Sequence, residues 1–176
     1  MASRNLNDLQ PEAKSRALDL IQAAKAARFD MLIYCTLRPL DEQARLFRQG
    51  RSLSQIQARA DALDETYTRP DLAAILIGVG PQPGHRIVTW AAPGQSLHNY
   101  GFAFDSAPLL YGKPVWSPVD IQATPDVDEG ALWMEYGELV RQSGLRWAGD
   151  WPKGKREFPH AQVPGVSWKD LIRSAA

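Results

Sequence analysis

A small α+β domain, with one mostly antiparallel sheet flanked by helices, is the fold this sequence predicts. Three observations lead there. The chain has 176 residues, 44% of them hydrophobic, a single-domain length that can bury a core without disulfide or metal staples. Helical periodicity comes first along the chain, and short β-favouring runs then interleave with further helices. No run of 18 apolar residues occurs, so no membrane-spanning helix is expected.

The elements follow in order. Leu6 and Leu9 precede Pro11, after which Ala13, Ala17, Leu18, Leu20, Ile21, Ala24 and Ala27 recur at helical spacing. This predicts an amphipathic helix over about 11–27, with proline in the first turn, where its missing N–H costs nothing. Phe29 to Leu37 is short and apolar and reads as a buried strand, ended by Arg38-Pro39. A second short helix starts near Leu40 or Asp41, carries Ala44, Leu46 and Phe47, and stops at Gly50. Ser52 to Gly80 reads as helical insertion material, Ala-rich over 55–63 and apolar over 72–79. Arg86 to Trp90 reads as a strand, Ala91 to Gly94 as a turn and Phe102 to Asp105 as a short strand. Four prolines between 108 and 125 predict mostly loop. Gly130 to Ser143 is expected to be helical, with Leu132, Trp133, Tyr136, Leu139 and Val140 on one face. Leu145 to Ala148 begins a last strand region, Phe158 to Val163 pairs again, and Trp168 to Ile172 forms a terminal helical turn. All six Trp follow residue 89, which predicts an aromatic core in the C-terminal half. The whole chain, 1–176, is expected to form one domain with 52–80 as its insertion.

Charge and cysteine content narrow the function. Twenty Lys and Arg balance twenty Asp and Glu, so the bulk attraction that nucleic acid or an anionic membrane needs is missing. With one cysteine, Cys35, an internal disulfide and every Cys-cluster zinc site are excluded, and any metal should rest on His and carboxylates. There are three His. The first residues lack a secretory signal pattern, so a cytosolic origin and a monomeric state are expected.

Ser96-Leu-His98-Asn-Tyr-Gly101-Phe-Ala-Phe-Asp105 is the most informative stretch. His98 and Asp105 are seven apart, an odd spacing that would put them on opposite faces of an unbroken strand. Gly101 is the hinge expected to return Asp105 toward His98. A third ligand has two candidates, His85 and His160. His160 lies three residues after Glu157, with Pro159 forcing an extended approach, and is preferred. His85 follows Pro-Gly without an acidic companion and is read as a loop or supporting residue.

These residues resemble a family. The Ser-x-His-x-x-Gly-x-Ala-x-Asp pattern, the Trp147-Ala-Gly-Asp-Trp151 segment and the Glu157-Phe-Pro-His160 ending are similar to zinc peptidases of the D-alanyl-D-alanine carboxypeptidase type. Their L-alanyl-D-glutamate endopeptidase branch, which includes phage endolysins, is most similar. Thr36 to Pro39, Glu42-Gln43, Leu46 to Arg51 and Ile87 to Ala91 extend the resemblance over most of the chain. It implies a hedgehog/D-Ala-D-Ala-peptidase-like fold and one Zn²⁺ held by His98, Asp105 and His160. It implies Glu157 as general base to metal-activated water, and Arg38 as a catalytic group holding the oxyanion or a substrate carboxylate. Gln43 and Ser96 would bind substrate, a bacterial peptidoglycan stem peptide cut between L-Ala and D-Glu. A D-Ala-D-Ala carboxypeptidase or dipeptidase on the same scaffold, and a catalytically silent zinc-binding recognition domain, are the rivals. The endolysin branch further implies residence in the host cytoplasm until release to the wall. Two positions depart from that branch: Glu157 stands where Asp is usual, and Ala161-Gln162 replaces an aromatic-acid pair.

Overall fold

A computed structural model describes residues 1–118 and 128–174. In chain order these form α1 (Pro11–Ala26), β1 (Asp30–Cys35), α2 (Leu40–Arg48), α3 (Leu53–Tyr67), α4 (Pro70–Gly78), β2 (Ala103–Leu110), β3 (Lys113–Pro114), α5 (Glu129–Gln142), β4 (Arg146–Trp147), β5 (His160–Gln162) and α6 (Trp168–Ser174). Single 3₁₀ turns lie at Leu6–Asp8, Leu97–Tyr100 and Ala148–Asp150. They gather into two compact units. A sheet unit takes the described residues of Ser3–Leu37 and Gly101–Gly165, and a helical unit those of Met1–Ala2, Arg38–Tyr100 and Val166–Ala176.

The sheet unit carries all five strands in the order β1-β2-β5-β4, with β3 pairing β2. Every pairing is antiparallel. β2 is buried from Ala103 through Pro108, the pattern of a strand covered on both faces. α1 packs on β1 and α5 on β2, so Leu20 of α1 and Trp133, Tyr136 and Val140 of α5 join Phe104 in the core. The expected aromatic core is present here, with Trp133 and Tyr136 edge to face at 5.2 Å and Trp147 and Phe158 at 5.6 Å. Trp147 sits in a slot: a Cβ at Gly137 or Gly149 would overlap its indole. Its Nε1–H donates to Phe158 O at 2.7 Å.

The helical unit is built around Ala44 and Phe47 of α2, Ile56, Ala60 and Leu63 of α3, Leu72 and Leu76 of α4, Ala92 and Ile172 of α6. The stretch 52–80 therefore folds as two helices that supply much of this unit's core. Local chemistry sets their limits. Ser52 and Gln55 form a reciprocal capping box at the start of α3, Thr68 ends it in the left-handed region at φ 54, and Pro70 opens α4.

One expectation fails. Arg86 to Trp90 is not a strand: Thr89 O accepts from the Arg51 guanidinium at 2.7 Å, and no strand among the described residues pairs with the segment. Ile87, Val88 and Trp90 are exposed. Of the eleven described residues of the proline-rich stretch, 108–118, six lie outside strands as expected, and five do not: the end of β2 from Pro108 and the two-residue β3 with Pro114. Val115 N–H donates back to Pro108 O at 2.9 Å, and the two-residue β3 is an edge position where a missing donor is tolerated. The rest of that stretch, 119–125, lies outside the described residues.

Candidate active site

Strand pairing brings two of the predicted ligands together in the sheet unit. Asp105 on β2 is the register partner of His160 on β5, and Asp105 Oδ1 lies 3.3 Å from His160 Nδ1. Both are buried, at 9% and 6% exposure. The other ring nitrogen, Nε2, meets Gln162 Oε1 at 3.0 Å. Residues i and i+2 of a strand share a face, so Gln162 is placed to orient the ring that it follows. Burial alone would lower the proton affinity of His160, but the Asp105 carboxylate, with smaller help from Glu157 and Gln162, outweighs it and raises the pKa above the ordinary histidine value. Cys35 extends the row: it is the register partner of Asp105 on β1, just past a register shift, and is 3% exposed. Shifts of this kind re-aim side chains near sites.

The donor chemistry fits a zinc ion. Two ligand atoms, each about 2.0–2.1 Å from a tetrahedral zinc, stand about 3.3–3.4 Å apart, which is the separation of the Asp105 and His160 atoms. The second hydrogen bond from His160, to Gln162, is the kind that orients a metal-bound imidazole.

Glu157 is exposed, three residues before His160. Its backbone is held where its side chain is free to act. Glu157 N–H donates to Ala148 O at 3.2 Å and His160 N–H to Glu157 O at 3.1 Å, while the Trp147 indole takes Phe158 O. Asp150 is committed elsewhere, with both carboxylate oxygens 3.0 and 3.1 Å from Arg141 Nη1.

The helical unit brings together the residues that the resemblance assigns to substrate. Arg38 N–H donates to His98 O at 3.0 Å, and Asn99 Nδ2 to Arg38 O at 2.9 Å. The 3₁₀ turn bearing His98 is thus zipped to the segment entering α2. Arg38 Nη1 donates to Gln43 Oε1 at 3.0 Å, and Gln43 Nε2 to Ala91 O at 2.8 Å, with Gln43 fully buried. Arg38 therefore pairs with Gln43, while Asp41 pairs with Arg45. Ser96 and His98 are buried at 9% and 2% exposure. In the sheet unit, Gly101 takes the left-handed conformation that favours glycine: its φ is +73°, and a Cβ there would come within 2.9 Å of Asp8 O. His85 lies in a different part of this unit, exposed and beside Arg48 and Arg51.

Sequence reasoning missed Cys35 and Gln162 as members of the row. Gln162 could have been found from its i+2 spacing to His160, whereas Cys35 needed the β1–β2 register.

An antiparallel sheet with a buried carboxylate–imidazole pair, and a glutamate three residues before the imidazole, is the layout of a metallopeptidase. The chain belongs to the VanY family, D-alanyl-D-alanine carboxypeptidase, whose pattern matches residues 6–115; a second pattern of the same description matches 90–163. It is 28% identical over 158 residues, 89% of this chain and 74% of the relative, to the peptidoglycan L-alanyl-D-glutamate endopeptidase CwlK of Bacillus subtilis (strain 168). Among solved structures, the Serratia marcescens L-Ala D-Glu endopeptidase ChiX is 14% identical with a TM-score of 0.49, covering 98% of this chain and 92% of that one. The vancomycin resistance D,D-pentapeptidase VanY in complex with Zn(II) is 17% identical with a TM-score of 0.45, covering 94% and 78%.

Proposed function

We propose that this protein is a zinc-dependent peptidoglycan endopeptidase that hydrolyses the L-Ala–D-Glu bond of stem peptides. His98, Asp105 and His160 would hold the ion, and Glu157 is the general base. The observation that carries this reading is the buried Asp105–His160 pair at 3.3 Å, with Glu157 anchored beside it through Ala148. Membership of the peptidase family and the likeness to CwlK support the reaction class.

A zinc ion bound there supplies Lewis-acid polarisation of the scissile carbonyl and brings the pKa of a water down toward about 7. This chain's own residues do the rest. Glu157 takes a proton from the attacking water and returns it to the leaving amine, a role that contributes roughly 10²–10⁴ in rate. Gln162 keeps the His160 ring turned so that Nδ1 faces Asp105. Arg38, steadied by Gln43, offers a guanidinium fork to the developing oxyanion or to a substrate carboxylate, and Ser96 contributes on the substrate side. Within the same reading the protein acts as an endolysin, held in the host cytoplasm until it reaches the wall.

Mass spectrometry of purified muropeptides after digestion tests the bond. Fragments beginning at D-Glu are expected. Release of terminal D-Ala alone would replace the endopeptidase reading by the carboxypeptidase one that the family description favours.

A further inference from the structure

A cavity of about 280 Å³ opens in the helical unit, lined by Arg48, Gly50, Arg51, Gln82, Gly84 and His85. The reaction proposed above makes no use of it. Its lining holds two guanidinium groups and an imidazole, and no carboxylate among the described residues.

Arg48 closes α2 and is 6% exposed. Its Nη1 donates to Leu76 O and Ile77 O, at the end of α4, at 3.0 and 3.2 Å. Its Nε, also buried, has no hydrogen-bond partner among the described residues. A buried N–H without an acceptor is costly, and such groups mark places where something else belongs. Arg51 adds a second guanidinium: its Nη1 and Nη2 each donate to a carbonyl, Phe47 O and Thr89 O, and it lies 3.8 Å from the Phe47 ring centroid. Burial and the charge of Arg59 press its pKa below the ordinary arginine value, so a nearby anion would relieve it. Gln82 has both amide hydrogens engaged, on Val79 O and Gly80 O.

The cavity is also built by backbone. Gly50 has φ +69°, and a Cβ there would overlap the Arg86 carbonyl carbon and come within 2.6 Å of Ile87 N. The 86–87 backbone thus lies directly against Gly50, two residues past the end of α2, which seats His85 at the cavity.

We propose that this cavity is a subsite for a carboxylate of the substrate peptide. The donors on offer, Arg48 Nε and the His85 imidazole, suit one small oxyanion. Arg48 already shares its charge with the α4 carbonyls and Arg51 with those of Phe47 and Thr89, so a singly charged carboxylate fits better than a doubly charged phosphate. The stem peptide of the proposed reaction carries free carboxylates and no phosphate, and this extension rests on that reading.

The test reads the cavity and the reaction separately. Glutarate, titrated against chloride at constant ionic strength and pH, is expected to shift the His85 ring resonances saturably, easily followed in a chain with three His. Arg48→Lys keeps the charge and the reach to the α4 carbonyls but removes Nε, and should weaken that response at least fivefold. In digestion assays His85→Ala should raise KM about fivefold for a muropeptide with free carboxylates, less than twofold for its amidated form, and leave kcat unchanged. No His85 shift with glutarate, or a stronger one with inorganic phosphate, would overturn the carboxylate subsite, as would equal KM changes for both muropeptides. If the wild type cuts neither muropeptide, the endopeptidase reading fails, and the glutarate response still decides the subsite.

Discussion

In the sheet unit Asp105 and His160 face each other because two strands are paired; in the helical unit Arg38 and Gln43 meet because one side chain reaches another. The first arrangement is set by main-chain ladders that no single side chain controls. The second depends on each member being present, since Gln43 bridges Arg38 to Ala91 O by its two amide atoms. On the proposed reading, two of the three metal ligands, Asp105 and His160, ride on β2 and β5, while His98 and the groups that would meet a flexible peptide belong to the helical unit.

The contrast can be broken at several points. Glu157→Gln should cost roughly 10²–10⁴ in wall lysis while zinc content by atomic emission stays at the wild-type level. Lysis at the wild-type rate would remove Glu157 as the base, and lysis by neither protein would favour a zinc-binding recognition module. Gln162→Ala frees the far side of the His160 ring and should weaken zinc affinity about 10–100-fold, measured by chelator competition, whereas His85→Ala should leave it unchanged. Gln43→Ala removes a fully buried amide with its bonds to Arg38 and Ala91 O, for a loss of about 1–3 kcal/mol in urea unfolding without change in zinc affinity. A fall in zinc affinity as large as that of Gln162→Ala would mean that the Arg38–Gln43 bridge also supports the ligand set. Ser52→Ala removes one half of the α3 capping box and should cost about 1 kcal/mol. Arg141→Ala breaks partly exposed pairs with Glu138 and Asp150 and should shift stability by no more than about 1 kcal/mol.

What the sequence made legible follows the same division. Helices announce themselves locally, so α1, α2 and α5 stand within a residue or two of their expected limits, and the Ala-rich and apolar runs of the insertion resolve into α3 and α4. The Gly101 hinge was legible because an odd spacing demanded a bend that glycine could supply. Strand partnership is not local. Ile87, Val88 and Trp90 have strand-like composition, but their segment lies against Gly50 and gives a carbonyl to Arg51, so no ladder forms. Pro108 looks like a loop residue and sits in the central strand because its neighbours carry the pairing. Cys35 reads as a small buried hydrophobe, and it is buried, yet only the β1–β2 register reveals that it lies opposite Asp105. The paired Asp105 and His160 were legible as chemistry before their geometry was known, while the purpose of Arg48 required seeing a buried nitrogen without an acceptor.

The indole of Trp147 links more than its size suggests. Gly137 of α5 abuts it from one direction and Gly149 from another, and its nitrogen holds the carbonyl next to Glu157. A helix, a strand end and the loop bearing Glu157 thus share one rigid plate. Warming that loosens the slot would let Glu157 drift while the helices and strands still hold, so on the proposed reading activity falls on heating before secondary structure is lost.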